Sequence, residues 1–221
     1  SEIVLRGRRP GKNFSWERAC LVRALWDDTA SVHIKLFGLR GVFIKITWLG
    51  HSCFKIESKG YQIILDPYQD GSVPGYRPIA EQADQVLCSH EHRDHNGKEA
   101  VTLRQGMNSP FTVRTIDTWH DDQQGTLRGS NLIHILDDGQ FTVAHLGDLG
   151  CELMQSQIEE VEGLDALLIP VGGYYTIDAV QARAVVEKLR PNITVPMHYP
   201  ARTLAMMCWR QSMPLLQWRI L

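Results

Sequence analysis

Three histidines and an aspartate fall within six consecutive residues, His90-Glu91-His92-Arg93-Asp94-His95, and the run closes on Asn96-Gly97. The chain holds only 9 histidines in 221 residues, so a third of them stand side by side. A solvated loop has no need of that concentration. Imidazole together with carboxylate is the donor set for a borderline divalent cation such as zinc. The apolar stretch just before it, Gln85-Val86-Leu87-Cys88, reads as a buried strand. In extended backbone, residues two apart share a face, so His90, His92 and Asp94 are expected to project together while the Asn96-Gly97 turn swings His95 in beside them. The fold must therefore bring a strand end to a point where further donors can converge.

The flanking sequence supplies the strands for such a scaffold. Phe43-Ile44-Lys45-Ile46-Thr47-Trp48 alternates apolar and polar, residues 52–57 alternate again, and Tyr61-Gln62-Ile63-Ile64-Leu65 leads to Asp66-Pro67, which together predict a β-meander. Residues 68–80 read as a loop, with short helical pieces expected over 79–83 and 98–105. Strands are expected over 111–116, 131–136 and 140–146, the last two joined by the turn Asp137-Asp138-Gly139. Residues 151–161 have helical spacing, 164–171 read as a buried strand, and 178–189 as an amphipathic helix begun near Thr176 and stopped before Pro191. A last strand, residues 193–197, delivers His198. Periodicity alone gives a mixed α/β domain in which two strand groups, packed face to face, are covered by helices.

Charge and cysteine usage exclude some classes. Residues 1–42 carry 8 Lys/Arg against 4 Asp/Glu, and residues 199–221 carry 3 Arg and no acid, so with a net charge of −2 overall the middle is acidic. An acidic body argues against nucleic-acid binding, which needs a basic surface. No apolar run reaches the roughly 18–20 residues of a membrane span. The apolar piece after Arg9 is broken by Arg23 and fails as a signal peptide. Five scattered cysteines without C-x-x-C spacing suggest reduced thiols and a cytoplasmic location. Residues 1–42, where a short helix is expected over 16–26, read as an extension preceding a catalytic domain at 43–221.

The pattern His-x-His-x-Asp-His, here His90 to His95, resembles the signature of the metallo-β-lactamase superfamily. Later segments are similar to its zinc-dependent, lactonase-like hydrolase subgroup. Trp119-His120-Asp121-Asp122, followed by Gly125, Arg128-Gly129 and Asn131, resembles the third-histidine segment, and Ala144-His145-Leu146-Gly147-Asp148-Leu149-Gly150 the bridging-aspartate segment. Val171-Gly172-Gly173, Thr176-Ile177-Asp178-Ala179 and Pro196-Met197-His198-Tyr199 resemble the closing segments. The likeness covers residues 43–200 and departs at Cys151, where the subgroup often carries histidine.

That resemblance implies a four-layer αββα sandwich with metals at one edge. His90, His92 and His120 would hold a first metal, Asp94, His95 and His198 a second, and Asp148 would bridge, making Asp94 and Asp148 the catalytic carboxylates. Two zinc ions are implied, with manganese or iron as alternatives, and a shared hydroxide would attack an ester, lactone, amide or phosphodiester bond of a small molecule. A metal-binding protein without catalysis and a di-iron oxidoreductase on the same fold are the competing readings. The intact set of ligands argues against the first, and His92, where flavodiiron relatives have glutamate, argues against the second. Around the ligands, Asp66 is expected to accept a ring N–H, and His145 to support rather than ligate. His51 is either pocket-facing or a satisfied loop histidine. Gly147 would let backbone crowd the centre. His134 reads as an outward strand residue, and Gly172-Gly173 with Tyr174-Tyr175 as either the substrate entrance or a plain turn. Homo-oligomer formation stays open.

Overall fold

Alternation dictates the first sheet. In β4 (Phe43–Gly50), β5 (Cys53–Ser58) and β6 (Tyr61–Leu65), the residues Ile44, Ile46, Phe54, Ile56, Ile63 and Leu65 fall on one face and are buried together, while Lys45, Lys55 and Gln62 between them stay partly exposed. The computed structural model describes residues 3–6, 21–26, 32–37, 43–161 and 163–199. Within them β1 (Ile3–Arg6), β2 (Leu21–Trp26), β3 (Val32–Phe37) and β8 (Gln85–Leu87) complete a seven-stranded sheet in the order β1-β2-β3-β4-β5-β6-β8. It is antiparallel except where β8 joins β6. The described parts of residues 1–42 thus supply three strands, and Ile34 and Leu36 enter the core.

Among the described residues, the short helices expected over 16–26, 79–83 and 98–105 do not appear as α-helices. Residues 21–26 are a strand because they pair along their length with β3, from Leu21 opposite Phe37 to Trp26 opposite Val32; residues 16–20 of that expected helix lie outside the described residues. Residues 81–83 and 101–103 form β7 (Glu81–Ala83) and β9 (Val101–Leu103), a small parallel pair, with only a 3-10 turn at Lys98–Ala100. Ala83 and Val101 cover Cys53 and Ile64 on the outer face of the first sheet, a burial that a helix-or-strand reading of such short runs cannot foresee.

The second sheet runs β10 (Thr112–Trp119), β11 (Ser130–Asp137), β12 (Thr142–His145), β13 (Ala166–Pro170), β14 (Ile193–Met197). Its first three strands are antiparallel and its last three parallel, with α1 (Gln155–Val161) and α2 (Ala179–Leu189) as the crossovers. Every β13 side chain is buried, because Ala166 and Leu168 meet the first sheet while Leu167 and Ile169 meet the helices. The same double burial overturns the outward placement of His134, which is 3% exposed and shares the inter-sheet face with Leu136. Helix α2 matches the expected 178–189 to a residue, with Asp178 rather than Thr176 as its cap. The Asp178 carboxylate accepts the amides of Val180 and Gln181 at 2.9 and 2.8 Å, and the Gln181 side chain returns to the Asp178 amide. A left-handed Arg190 ends the helix ahead of Pro191.

Strand direction then decides where chemistry can gather. In the first sheet β4, β6 and β8 run the same way, and in the second β10, β12, β13 and β14 do, so their C-terminal ends meet at one edge of the sandwich. His51, Asp66, the Ser89–His95 loop, His120, Asp148 and His198 each follow one of those ends.

Candidate metal centre

The loop after β8 is not extended. The amides of His95 and Asn96 both return to the His92 carbonyl at 2.9 Å, which folds residues 92–96 into a turn. His90, His92 and Asp94 therefore do not share one face as alternation predicted: His90 and His92 go to one cluster, Asp94 and His95 to another. Gly97 closes the turn against Tyr68, where a β-carbon would meet backbone.

Two groups of donors result. His90, His92 and His120 present ring nitrogens within 4.8 Å of one another, and ring nitrogens of His198, His95 and His51 lie equally close together with a carboxylate oxygen of Asp94. Asp148 lies between the groups: Oδ1 is 3.2 Å from His95 Nε2, and Oδ2 is 3.3 Å from His120 Nε2 and 3.1 Å from His198 Nε2. The structure thus brings all seven sequence-derived candidates to one place.

Hydrogen bonds fix which nitrogens face inward. Asp66 accepts from the Ser89 amide and hydroxyl, each at 2.6 Å, and lies 2.8 Å from His95 Nδ1. Ser89 Oγ, having given its proton to Asp66, accepts from His90 Nδ1 at 2.9 Å. Both rings therefore turn Nε2 toward the cleft, and both atoms are buried without a hydrogen-bond partner, as is Asp148 Oδ1. His95 Nε2 and Asp148 Oδ1 stand 3.2 Å apart, an approach that needs positive charge between them, a proton on the ring or a cation. Burial, then the neighbouring His95, push the His90 pKa down to about 3, which keeps it a neutral donor. For His95 burial also disfavours charge, but the carboxylates of Asp148 and Asp66 outweigh it and raise its pKa well above the ordinary value. Asp148 is held well below the carboxylate range by His95 and His198 against its own burial. These features fit divalent cations: a neutral His90, an ionised Asp148, a His95 whose ring proton a cation would replace, and buried nitrogens without partners.

His145 stays outside this set. Its Nδ1 accepts the Gly147 amide at 3.1 Å and its Nε2 lies 2.8 Å from the Ser52 carbonyl, so both nitrogens are used. Sequence reasoning assigned no role to Asn131 or to the Asp121 carboxylate. Asn131 gives its amide hydrogens to Thr118 Oγ1 and the Leu146 carbonyl and accepts the Asp148 amide at 2.8 Å, so it holds the Asp148 loop against β11. Asp121 accepts the amides of Gln123, Gly125, Leu127 and Arg128, winding the loop that follows His120 into one shape. An aspartate directly after a ligand candidate and ahead of a Gly-rich loop was the available signal. Gly147 and Gly150 bracket Asp148, and a β-carbon on either would collide, with Asn131 and Ser89 or with the His120 backbone. Tyr174 and Tyr175 are exposed, and Arg128 lies 5.4 Å over the Tyr175 ring.

A family model described as a beta-lactamase superfamily domain matches residues 45–198. The chain belongs to the metallo-β-lactamase superfamily. Within it, the chain is 29% identical over 191 residues to a UPF0173 metal-dependent hydrolase of Carboxydothermus hydrogenoformans, covering 71% of this chain and 84% of that one. It is 32% identical over 182 residues to a UPF0173 protein of Pyrococcus furiosus, covering 71% and 83%. Among solved structures, a candidate zinc-dependent hydrolase of the superfamily from Thermotoga maritima is 28% identical, with a TM-score of 0.56 over 76% of this chain and 87% of that one. A structure from Parabacteroides distasonis, 20% identical with a TM-score of 0.61 over 79% and 91%, shares the fold. The superfamily's layered sandwich matches the architecture described above: two sheets face to face, α1 and α2 over the second and, among the described residues, β7 and β9 with a 3-10 turn over the first.

Proposed function

We propose that this metal-dependent hydrolase of the metallo-β-lactamase superfamily works with two cations, one on His90, His92 and His120, one on Asp94, His95 and His198, with Asp148 shared. The observation that carries this reading is the Asp148 carboxylate, whose two oxygens stand 3.1–3.3 Å from imidazoles of both groups while the facing Nε2 atoms of His90 and His95 are unpartnered. Zinc suits the imidazole-rich donors, with manganese or iron as alternatives. Bound there, the pair supplies a hydroxide at neutral pH and polarises the substrate's carbonyl or phosphoryl oxygen.

The chain's own side chains do the rest. Asp66, directly and through Ser89, keeps His95 and His90 in the tautomer that faces the cations. Asp94 is the more open carboxylate, with its side chain 36% exposed against 2% for Asp148. The loop 172–178 lies against His198, exposes Tyr174 and Tyr175, and meets the Asp121 loop where Arg128 lies 5.4 Å over the Tyr175 ring. Exposed rings beside the centre favour a small molecule with an apolar or aromatic part, carrying an ester, lactone, amide or phosphodiester bond. The acidic middle of the chain disfavours nucleic acid. A cytoplasmic setting is supported by the free thiols of Cys53, Cys88 and Cys151; among the described residues no helix is long and apolar enough to cross a membrane.

Metal analysis of the purified protein, with a panel of lactone, thioester, phosphodiester and β-lactam substrates assayed with and without chelator, tests this. Two equivalents of metal and hydrolysis abolished by chelator and restored by zinc or manganese are expected. Hydrolysis that survives full metal removal would overturn the mechanism.

A further inference from the structure

His51 sits at the end of β4 in a place that local sequence does not favour for a side chain. Its φ is +51°, directly after Gly50 at +121°, and the register of β4 against β5 shifts at this point. L residues rarely adopt this left-handed backbone, so something must hold it. The Trp48 indole N–H donates to the His51 carbonyl at 2.9 Å, and Gly50 packs so close to Tyr76 and Tyr68 that no β-carbon fits. The turn fixed in this way aims the ring inward. His51 is 8% exposed, its Nε2 is buried without a hydrogen-bond partner, and its ring centroid lies 4.3 Å from that of His198 and 5.3 Å from that of His95. Its Nε2 is 3.5 Å from Asp94 Oδ2, too far for a good hydrogen bond but the separation of two donors around one ion.

We propose that His51 is an additional protein ligand of the second cation, which then takes His51, Asp94, His95, His198 and the shared Asp148, against His90, His92, His120 and Asp148 for the first. This rests on the two-cation reading above and refines it. The positions become unequal. Four protein donors suit a tetrahedral zinc, whereas five favour an ion that accepts higher coordination, such as manganese or ferrous iron. The second position should accordingly prefer those ions over zinc more strongly than the first does.

The test uses the full chain, stripped with chelator and titrated with Mn²⁺, Zn²⁺ or Co²⁺ against a competing indicator. The variants are His51→Gly, which relieves the backbone, and His51→Asn, which tolerates it. Wild type should take two equivalents. Both variants should keep the first and bind the second about tenfold or more weakly, with one imidazole fewer in the X-ray absorption of the doubly loaded protein. Metal-free His51→Gly should melt no lower than metal-free wild type, which separates a ligand from a merely structural residue. Unchanged affinity for the second equivalent in both variants would overturn the role of His51 and leave the two-cation reading standing. A wild type that takes up no metal at all would sink both.

Discussion

Asp66 is buried, yet its pKa lies below the ordinary carboxylate value, because the neighbouring His95 and His145 and hydrogen bonds from His95 and Ser89 outweigh the cost of burial. Asp66→Asn keeps the shape and tolerates the left-handed backbone found there, with φ +47°, but removes the charge that sets the His95 and His90 tautomers. Metal affinity measured by indicator competition should fall about 10–100-fold with little change in secondary structure; an unchanged affinity would show that Asp66 does not orient the ligands. His134 gives a second expectation at this scale. Burial pushes its pKa down to about 4 from 6.5. The folded state then prefers the neutral ring, so this contribution is complete above pH 6.5 and is lost as pH falls from there toward 4, where the unfolded chain binds the extra proton. The shift corresponds to roughly 3 kcal/mol at most. Denaturant midpoints between these pH values should decline less steeply for His134→Gln than for wild type, the shared metal-site histidines cancelling in the difference. Parallel slopes would remove the argument. In the sequence His134 was indistinguishable from an outward strand residue, because alternation shows which residues share a face but not that both faces of β11 are covered.

Elements carry the next level of constraint, and here loops matter more than strands. The turn at Gly150 brings the Asp148 loop against the end of β10, with the Gly150 amide donating to the Trp119 carbonyl at 2.9 Å. Its φ is not left-handed, so Gly150→Ala acts by collision with the His120 backbone alone. Either His120 or Asp148 must then move. We expect a loss of about 1–3 kcal/mol in stability together with a weakened first metal equivalent, read by chemical denaturation and indicator titration; a variant with wild-type values in both would refute the close approach. The motifs that the sequence displayed were those where donor type itself is the signal: His90 to His95, His120, Asp148 and His198. Their grouping was not readable from alternation, since the His92–His95 turn splits Asp94 from His90. Nor was the closeness of His51, which depends on a register shift and a left-handed turn. The long alternating strands and α2 were readable from spacing. Residues 21–26, 79–83 and 98–105 were not, because each is short and its state is decided by the sheet it pairs with or covers.

At the scale of the whole molecule, the centre is a seam between two sheets. His51, Asp66 and the His90–His95 loop belong to ends of the first sheet, while His120, Asp148 and His198 belong to ends of the second. Without cations the positive charge at this seam rests on protonated imidazole, as on His95 between Asp148 and Asp66. A cation on each position would replace those protons by bonds that cross from sheet to sheet, and because the site does not exist in the unfolded chain, its binding free energy adds to stability. Free metal at about a hundred times its dissociation constant contributes roughly 2.7 kcal/mol per site. In a chain of this size each kcal/mol raises the melting temperature by about 2–4 °C. Filling one position should therefore raise it by about 5–10 °C over the chelated protein, and filling both by more, in steps that follow the two binding constants. Differential scanning calorimetry across a metal titration would reveal this. A melting temperature indifferent to metal would mean that the cations do not join the sheets, and that the seam is held by the inter-sheet apolar core alone.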